Sequence, residues 1–170
     1  MEVFEAIKKR RSVRNFLEKE IPREKEERLI EALRLAPSAG NLQSRRFYFV
    51  KDKDRKEKLA EAAIFQNFIS IAPLVVVGCA DLRIEKHYGE RGKNIYAICD
   101  VAVAIENMML EATELGLGTC FVGAFDEKKV INILNLPKNL KPIAIVPVGY
   151  PDGIPPATDR KPKEELIIEK

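Results

Sequence analysis

The 170-residue chain holds one histidine, three cysteines, two glutamines and no tryptophan. A single histidine, His87, removes every site that needs paired imidazoles and argues against a zinc centre. A serine or cysteine nucleophile would have to use it as base, yet the chain has neither a G-x-S-x-G elbow nor a local cysteine signature. Its neighbours Lys86, Tyr88 and Glu90 place it in a polar surface loop. Cys79, Cys99 and Cys120 are widely spaced and form no CxxC pair. An odd number of such cysteines points to reduced thiols. No apolar stretch approaches the ~20 residues needed to span a bilayer. The opening Met1-Glu2-Val3-Phe4-Glu5 also lacks the basic-then-apolar order of an export signal. The expectation is a cytoplasmic protein with no membrane partner. Net charge is only +3, from 29 basic and 26 acidic side chains, which excludes a nucleic-acid footprint over the whole surface.

What is present fits one domain, residues 1–170, with 46% hydrophobic residues. Val3, Phe4 and Ile7 share one face of a short opening helix. Pro22 starts a second helix, whose apolar stripe is Leu29, Ile30, Leu33 and Ala36, and Pro37 stops it. Phe47–Val50 reads as a buried strand, followed by a helix from about Arg55 to Ile64. The run from Leu74 to Ala80 between Pro73 and Asp81 reads as a central strand. Tyr96 to Leu117 is the longest helical pattern and is apolar nearly all round, so it belongs in a core or between subunits. A short strand at Thr119–Val122, a helix capped by Asp126 and a strand at Ile143–Val148 follow. Residues 151–170 form a proline-rich extended arm ending in Leu166-Ile167-Ile168. Helices and strands do not alternate strictly, which favours an α+β fold over a doubly wound sheet.

Five segments offer chemistry. Lys8-Lys9-Arg10-Arg11-Ser12-Val13-Arg14 carries five cations and a hydroxyl with no acid among them. Alone such a run is a solvated basic face; at the end of an ordered element it can grip a phosphate. Pro37-Ser38-Ala39-Gly40-Asn41-Leu42-Gln43 is a loop bearing a hydroxyl and two amides. Gln66 and Asn67 add two amides before an apolar strand. The stretch Gly116 to Gly123 is glycine-rich but is not G-x-G-x-x-G, and it leads from helix to strand, so a Rossmann or P-loop reading fails. It offers free backbone N–H groups at Gly123 and Ala124. Arg160 and Lys161 are a late cationic pair that could complete a phosphate clamp.

Taken in order, these segments resemble the nitroreductase family of flavoproteins. The resemblance runs almost end to end. It covers Arg10-Arg11-Ser12-Val13-Arg14-Asn15-Phe16, Ala36 to Gln43, Gln66 with Ala72-Pro73, Asp100-Val101-Ala102, Asn107 to Leu110, Gly116 to Phe125, Val146 to Tyr150 and Arg160-Lys161-Pro162. It implies a nitroreductase-like fold: a central mostly antiparallel or mixed sheet flanked by helices, completed by homodimerisation. It also implies an enzyme that uses FMN, with NADH or NADPH as donor and a nitroaromatic, quinone or similar small molecule as acceptor. By the same resemblance Arg10, Arg11, Ser12 and Arg14 contact the phosphate and ribityl chain, and Arg160 with Lys161 closes over the phosphate. Gln66 or Asn67 meets the ribityl or pyrimidine region, and Gly123 and Ala124 present backbone to N5 and O4. Pro37, Ser38, Ala39 and Asn41 come from the second subunit. No side chain is assigned as catalytic acid or base. Two positions depart from the family's habit: Ser44-Arg45 stands where Pro-Trp is common, and Thr158 where a second basic residue is common. Flavin destruction, reductive dehalogenation and a flavin-binding module without turnover are the alternatives on the same scaffold.

Overall fold

A computed structural model describes residues 1–170. Four strands form one sheet in the order β1-β2-β4-β3, every neighbouring pair antiparallel: β1 (Arg45–Val50), β2 (Leu74–Asp81), β3 (Gly118–Thr119) and β4 (Leu140–Gly149). β2 is buried along its whole length, as its uninterrupted apolar run requires. Its two faces feed two cores. Leu74, Val76 and Ala80 pack with Leu29 and Leu33 of α2 (Arg23–Leu35) and with Val101, Ile105 and Met108 of α6 (Ala97–Glu114). Val75, Val77 and Cys79 pack with Leu59 and Ala60 of α3 (Lys53–Ala62) and Val130 of α7 (Glu127–Leu134). Each fully buried Leu, Ile or Val in these layers contributes about 1.5–3 kcal/mol.

The helix boundaries follow local chemistry. Asp52 caps α3 by accepting the Arg55 N–H at 2.9 Å, and Asp126 caps α7 by accepting that of Lys129 at 3.1 Å. α2 begins after Pro22 and ends at Ala36, before Pro37. The expected strand at Thr119–Val122 is shorter: only Gly118 and Thr119 pair with β4, and Val122 rejoins it through a single bridge to Ile145. β4 is longer than expected and runs through Pro147. Ile145 exchanges hydrogen bonds with Val122, so Pro147, two residues on, turns its missing N–H to that sparsely paired side.

Two short helices were not foreseen from the sequence, α4 (Phe68–Ile71) and α5 (Glu85–Arg91). α5 carries His87 on the surface in place of the expected loop; it breaks at Gly89 (φ 56°) and passes through a π-helical turn, Gly92–Tyr96, into α6. α1 (Val3–Lys9) lies beside α6, and its Val3, Phe4 and Ile7 face outward. The arm from residue 152 on is exposed but for the half-buried Pro155, and it contains one further turn, α8 (Lys163–Leu166). No helix is long and apolar enough to cross a membrane.

Candidate functional site

α1 ends at Arg10, and the chain then extends along β3. Ser12 bridges Thr119 in parallel, and the Val13 N–H donates to the Thr119 carbonyl at 2.9 Å. Side chains alternate in such a stretch. Val13 goes into the core while Arg10, Ser12 and Arg14 gather around Cys120; Phe16, beyond the alternating stretch, also enters the core. The approach is close enough to require glycine: a Cβ at Gly118 would lie 2.7–2.9 Å from the Val13 side chain.

Buried Cys120 lies where these three meet. Burial raises its thiol pKa, while the charges of Arg14 and Arg10 and a hydrogen bond with Ser12 oppose that rise. Arg14 has no carboxylate partner and sits 6.0 Å from the Phe68 ring; Arg10 reaches only the exposed Glu106, at 3.8 Å. By contrast Arg23, Arg28, Arg34 and Arg83 are each paired with a carboxylate. Arg11 turns back instead. Its Nη1 donates to the carbonyls of Lys8 at 2.6 Å and Arg10 at 2.9 Å, closing the end of α1.

A second group of residues adjoins it where Arg14 meets Phe68. The Gln66 amide donates to Ala63 O at 2.8 Å and touches Ala124 O at 3.5 Å, linking the start of α4 to the Gly123–Ala124 turn. The N–H groups of Gly123 and Ala124 make no bond within the chain, and both residues are exposed. Asn67 is exposed beside Gln66, and its carbonyl accepts from the Ser70 hydroxyl at 2.8 Å. An apolar rim of Ile64 (71% exposed), Phe65 (73%) and Phe121 (43%) borders this group. Ile64 and Phe65 hold φ values of 59° and 55°, a strained choice for a β-branched and an aromatic residue. Sequence reasoning missed this rim, because a left-handed pair of non-glycine residues leaves no signature.

The structure thus brings Arg10, Ser12, Arg14, Gln66, Gly123 and Ala124 onto one face. It does not bring the remaining expected residues there. Pro37, Ser38, Ala39 and Asn41 sit against Asp100 in the first turn of α6, whereas β3 follows its last. Along α6 the rise from Asp100 to Glu114 is about 21 Å, while Arg10 meets the helix midway, at Glu106. Arg160 is exposed and bonds only to its neighbours, Thr158 O and Oγ1 at 2.9 and 2.7 Å and Asp159 O at 3.1 Å. Lys161 pairs with Glu165 at 3.2 Å.

A cleft of about 590 Å³ lies elsewhere, between α2 and α3, and includes Glu26, Lys51 and Lys56. We weigh the basic face above it, because that cleft's cations and acids already offset one another: Glu26 pairs with Lys51 at 2.6 Å and the Lys56 ammonium donates to Ala72 O at 2.7 Å. The Arg10–Arg14 face is an open wall rather than an enclosed pocket.

Beneath the Pro37–Gln43 loop, Arg45 fills the space at the Ser44-Arg45 departure with a buried guanidinium bonded to backbone carbonyls. Burial lowers its pKa, and the charge of Asp100 acts against that.

Comparison with known proteins places the chain in a family. The sequence matches the Nitroreductase family over residues 7–81 and 63–150. An FMN reductase [NAD(P)H] of Bacillus subtilis is 30% identical, the alignment covering 97% of this chain and 72% of the relative. NfrA2 of B. megaterium superposes with a TM-score of 0.93 at 27% identity, over 100% of this chain and 75% of that one. An NADPH:FMN oxidoreductase from Vibrio harveyi, solved in complex with NAD+, superposes with a TM-score of 0.91 at 26% identity, over 98% and 76% of the two chains. The chain belongs to the nitroreductase family.

Proposed function

We propose that this protein is an FMN-dependent NAD(P)H oxidoreductase of the nitroreductase type. The observation that carries the reading is the Arg10–Ser12–Arg14 cluster around Cys120, with Arg14 free of any carboxylate, beside the free backbone donors at Gly123 and Ala124. Two guanidiniums and a hydroxyl suit a phosphate, and rigid N–H groups suit the acceptor atoms of a flavin ring. The Gln66 amide, able to donate and accept, suits the pyrimidine edge. Asn67 stands beside it, and Arg11 serves the cluster by fixing the end of α1 from which Arg10 and Ser12 project. The chemistry supplied by bound FMN is hydride acceptance at N5 from NADH or NADPH, then reduction of a nitroaromatic, quinone or similar small molecule in ping-pong order.

The site is completed by a second copy of the chain. No hydrogen bond or ion pair joins Pro37, Ser38, Ala39 or Asn41 to Arg10, Ser12 or Arg14 within one chain, and a two-fold pairing reverses which end of α6 meets which. Exposed apolar side chains on α1 (Val3, Phe4, Ile7), in the π-helical turn before α6 (Ile95), on α6 (Val103) and in the arm (Leu166, Ile167, Ile168) supply the contact surface. The arm then brings Arg160 and Lys161 over the partner's phosphate site.

The test is the visible absorption spectrum of the purified protein, cofactor extraction, and steady-state oxidation of NADH and NADPH with a quinone. Flavin bands, FMN on extraction and parallel double-reciprocal lines support the reading. A colourless protein that takes up no FMN rejects it, and FMN binding without turnover reduces it to a flavin-binding module.

A further inference from the structure

Two buried charged side chains stand apart from the proposed phosphate cluster: Arg45 at the start of β1, 6% exposed, and Asp100 in the first turn of α6, 5% exposed. Arg45 Nη1 donates to Pro37 O at 2.8 Å and Asp100 O at 3.2 Å; Nη2 donates to Ala36 O at 2.6 Å and lies 3.4 Å from Arg34 O. These carbonyls belong mainly to the end of α2 and the residues just beyond, where a helix favours positive charge. The planar fork of a guanidinium can serve several of them at once, which an ammonium cannot. The Asp100 carboxylate accepts the Ala39 N–H on Oδ1 at 2.9 Å and the Ser44 N–H on Oδ2 at 3.3 Å. The cation therefore fixes the entrance of the Pro37–Ser44 loop, and the anion fixes both of its limbs.

The loop needs holding. Gly40, Asn41 and Gln43 have φ of 53°, 54° and 51°, and strain of that kind persists only where the surroundings over-determine it. Bonds inside the loop set its shape: Ser38 Oγ accepts the Gln43 N–H at 3.0 Å, and the Gln43 amide reaches Asn41 O and Oδ1 at 3.3 Å. They do not set its place relative to the sheet. Arg45 and Asp100 do.

We propose that Arg45 and Asp100 are positioning residues for the redox site, fixing Ser38–Asn41 in the one arrangement that meets the cofactor bound by the partner subunit. This rests on the flavin and two-subunit reading above. Neither residue touches the cofactor; both act through the loop.

The test compares full-length wild type with Arg45→Met, Arg45→Lys and Asp100→Asn. Folding is read by far-ultraviolet circular dichroism, FMN affinity by fluorescence quenching, and loop placement by the visible circular dichroism of bound flavin. Folded Arg45→Met and Asp100→Asn are expected to bind FMN at least about tenfold more weakly and to change the flavin's visible dichroism. Arg45→Lys, which keeps the charge and some donors, recovers part of both. Variants that lose only thermal stability, with the affinity and flavin dichroism of the wild type, overturn the proposal. Should Arg45→Met fail to fold, Asp100→Asn decides on the same terms, because it leaves the guanidinium and its carbonyls in place. A wild type that binds no FMN rejects the flavin reading and this proposal with it. FMN binding by wild type beside unaffected variants rejects the positioning role alone.

Discussion

Arg14 keeps its charge free of any carboxylate, and Arg10 very nearly does. If the two grip a phosphate, each charge-assisted contact contributes about 1.5–3 kcal/mol. Arg10→Ala with Arg14→Ala should then weaken FMN binding by at least about a hundredfold if the effects add. Fluorescence titration checks this, with circular dichroism showing that the fold remains; unchanged affinity in the double variant rejects the phosphate site. Asp81 shows the opposite use of charge. It is buried at the end of β2, and hydrogen bonds from Arg83 and Asn139 hold the pKa of its carboxyl at about 2, below the ordinary 3.8. Because the folded pKa is the depressed one, its stabilisation is complete above pH 3.8 and disappears as pH falls through about 2. Exposed Arg83 is screened by solvent, so the contribution is about 1–2 kcal/mol. Asp81→Asn should lose that much in urea unfolding at pH 7 and show less of the wild type's decline between pH 4 and 2 (roughly the two pKa values).

The contact between the extended segment after α1 and β3 is the element on which the proposed site depends. Gly118→Ala would drive a methyl into Val13 at less than 3 Å, against a backbone that carries Ser12 and Arg14 beside it. Such overpacking costs about 1–3 kcal/mol. Thermal unfolding should show that loss, and FMN titration a weaker complex; a variant as stable as wild type would mean that the segment is free to move off β3. Gly123 differs. A Cβ there would meet nothing nearer than the Phe121 ring at 4.0 Å, so Gly123→Ala should leave stability unchanged. Most elements were legible because their residues obey one rule each: Asp52 and Asp126 as caps, Pro37 as a stop, Leu74–Ala80 as an unbroken apolar strand. What was not legible depended on tertiary contact. The α6 pattern extended to Leu117, yet the helix ends at Glu114, because the Leu117 N–H bonds back to Ala112 O at 2.8 Å and turns the chain into β3. The Ser44-Arg45 pair departs from the family's habit, and nothing in the sequence says what it packs against. Only the folded chain shows that Ala36 O, Pro37 O and Asp100 O converge there on a guanidinium.

At the scale of the whole molecule, the proposed two-subunit site would make assembly a condition of function. Sedimentation of the wild type at low micromolar concentration should give a dimer, with FMN binding lost when the dimer is forced apart. A folded, flavin-loaded monomer over that range rejects the shared site while leaving the family assignment intact. The order β1-β2-β4-β3 carries a different consequence, for how the chain reaches this state at all. None of its neighbouring strands is joined by a tight turn: α3 and α4 intervene between β1 and β2, α7 between β3 and β4. β2 and β4, the central pair, must find each other across the roughly sixty residues between Asp81 and Leu140, whose closure costs roughly 4 kcal/mol of chain entropy. Until β4 arrives, an eight-residue apolar strand has no cover on that edge. Refolding is therefore governed by a long-range search during which self-association competes with the native pairing, and dilution or a bound nascent-chain chaperone favours the native outcome.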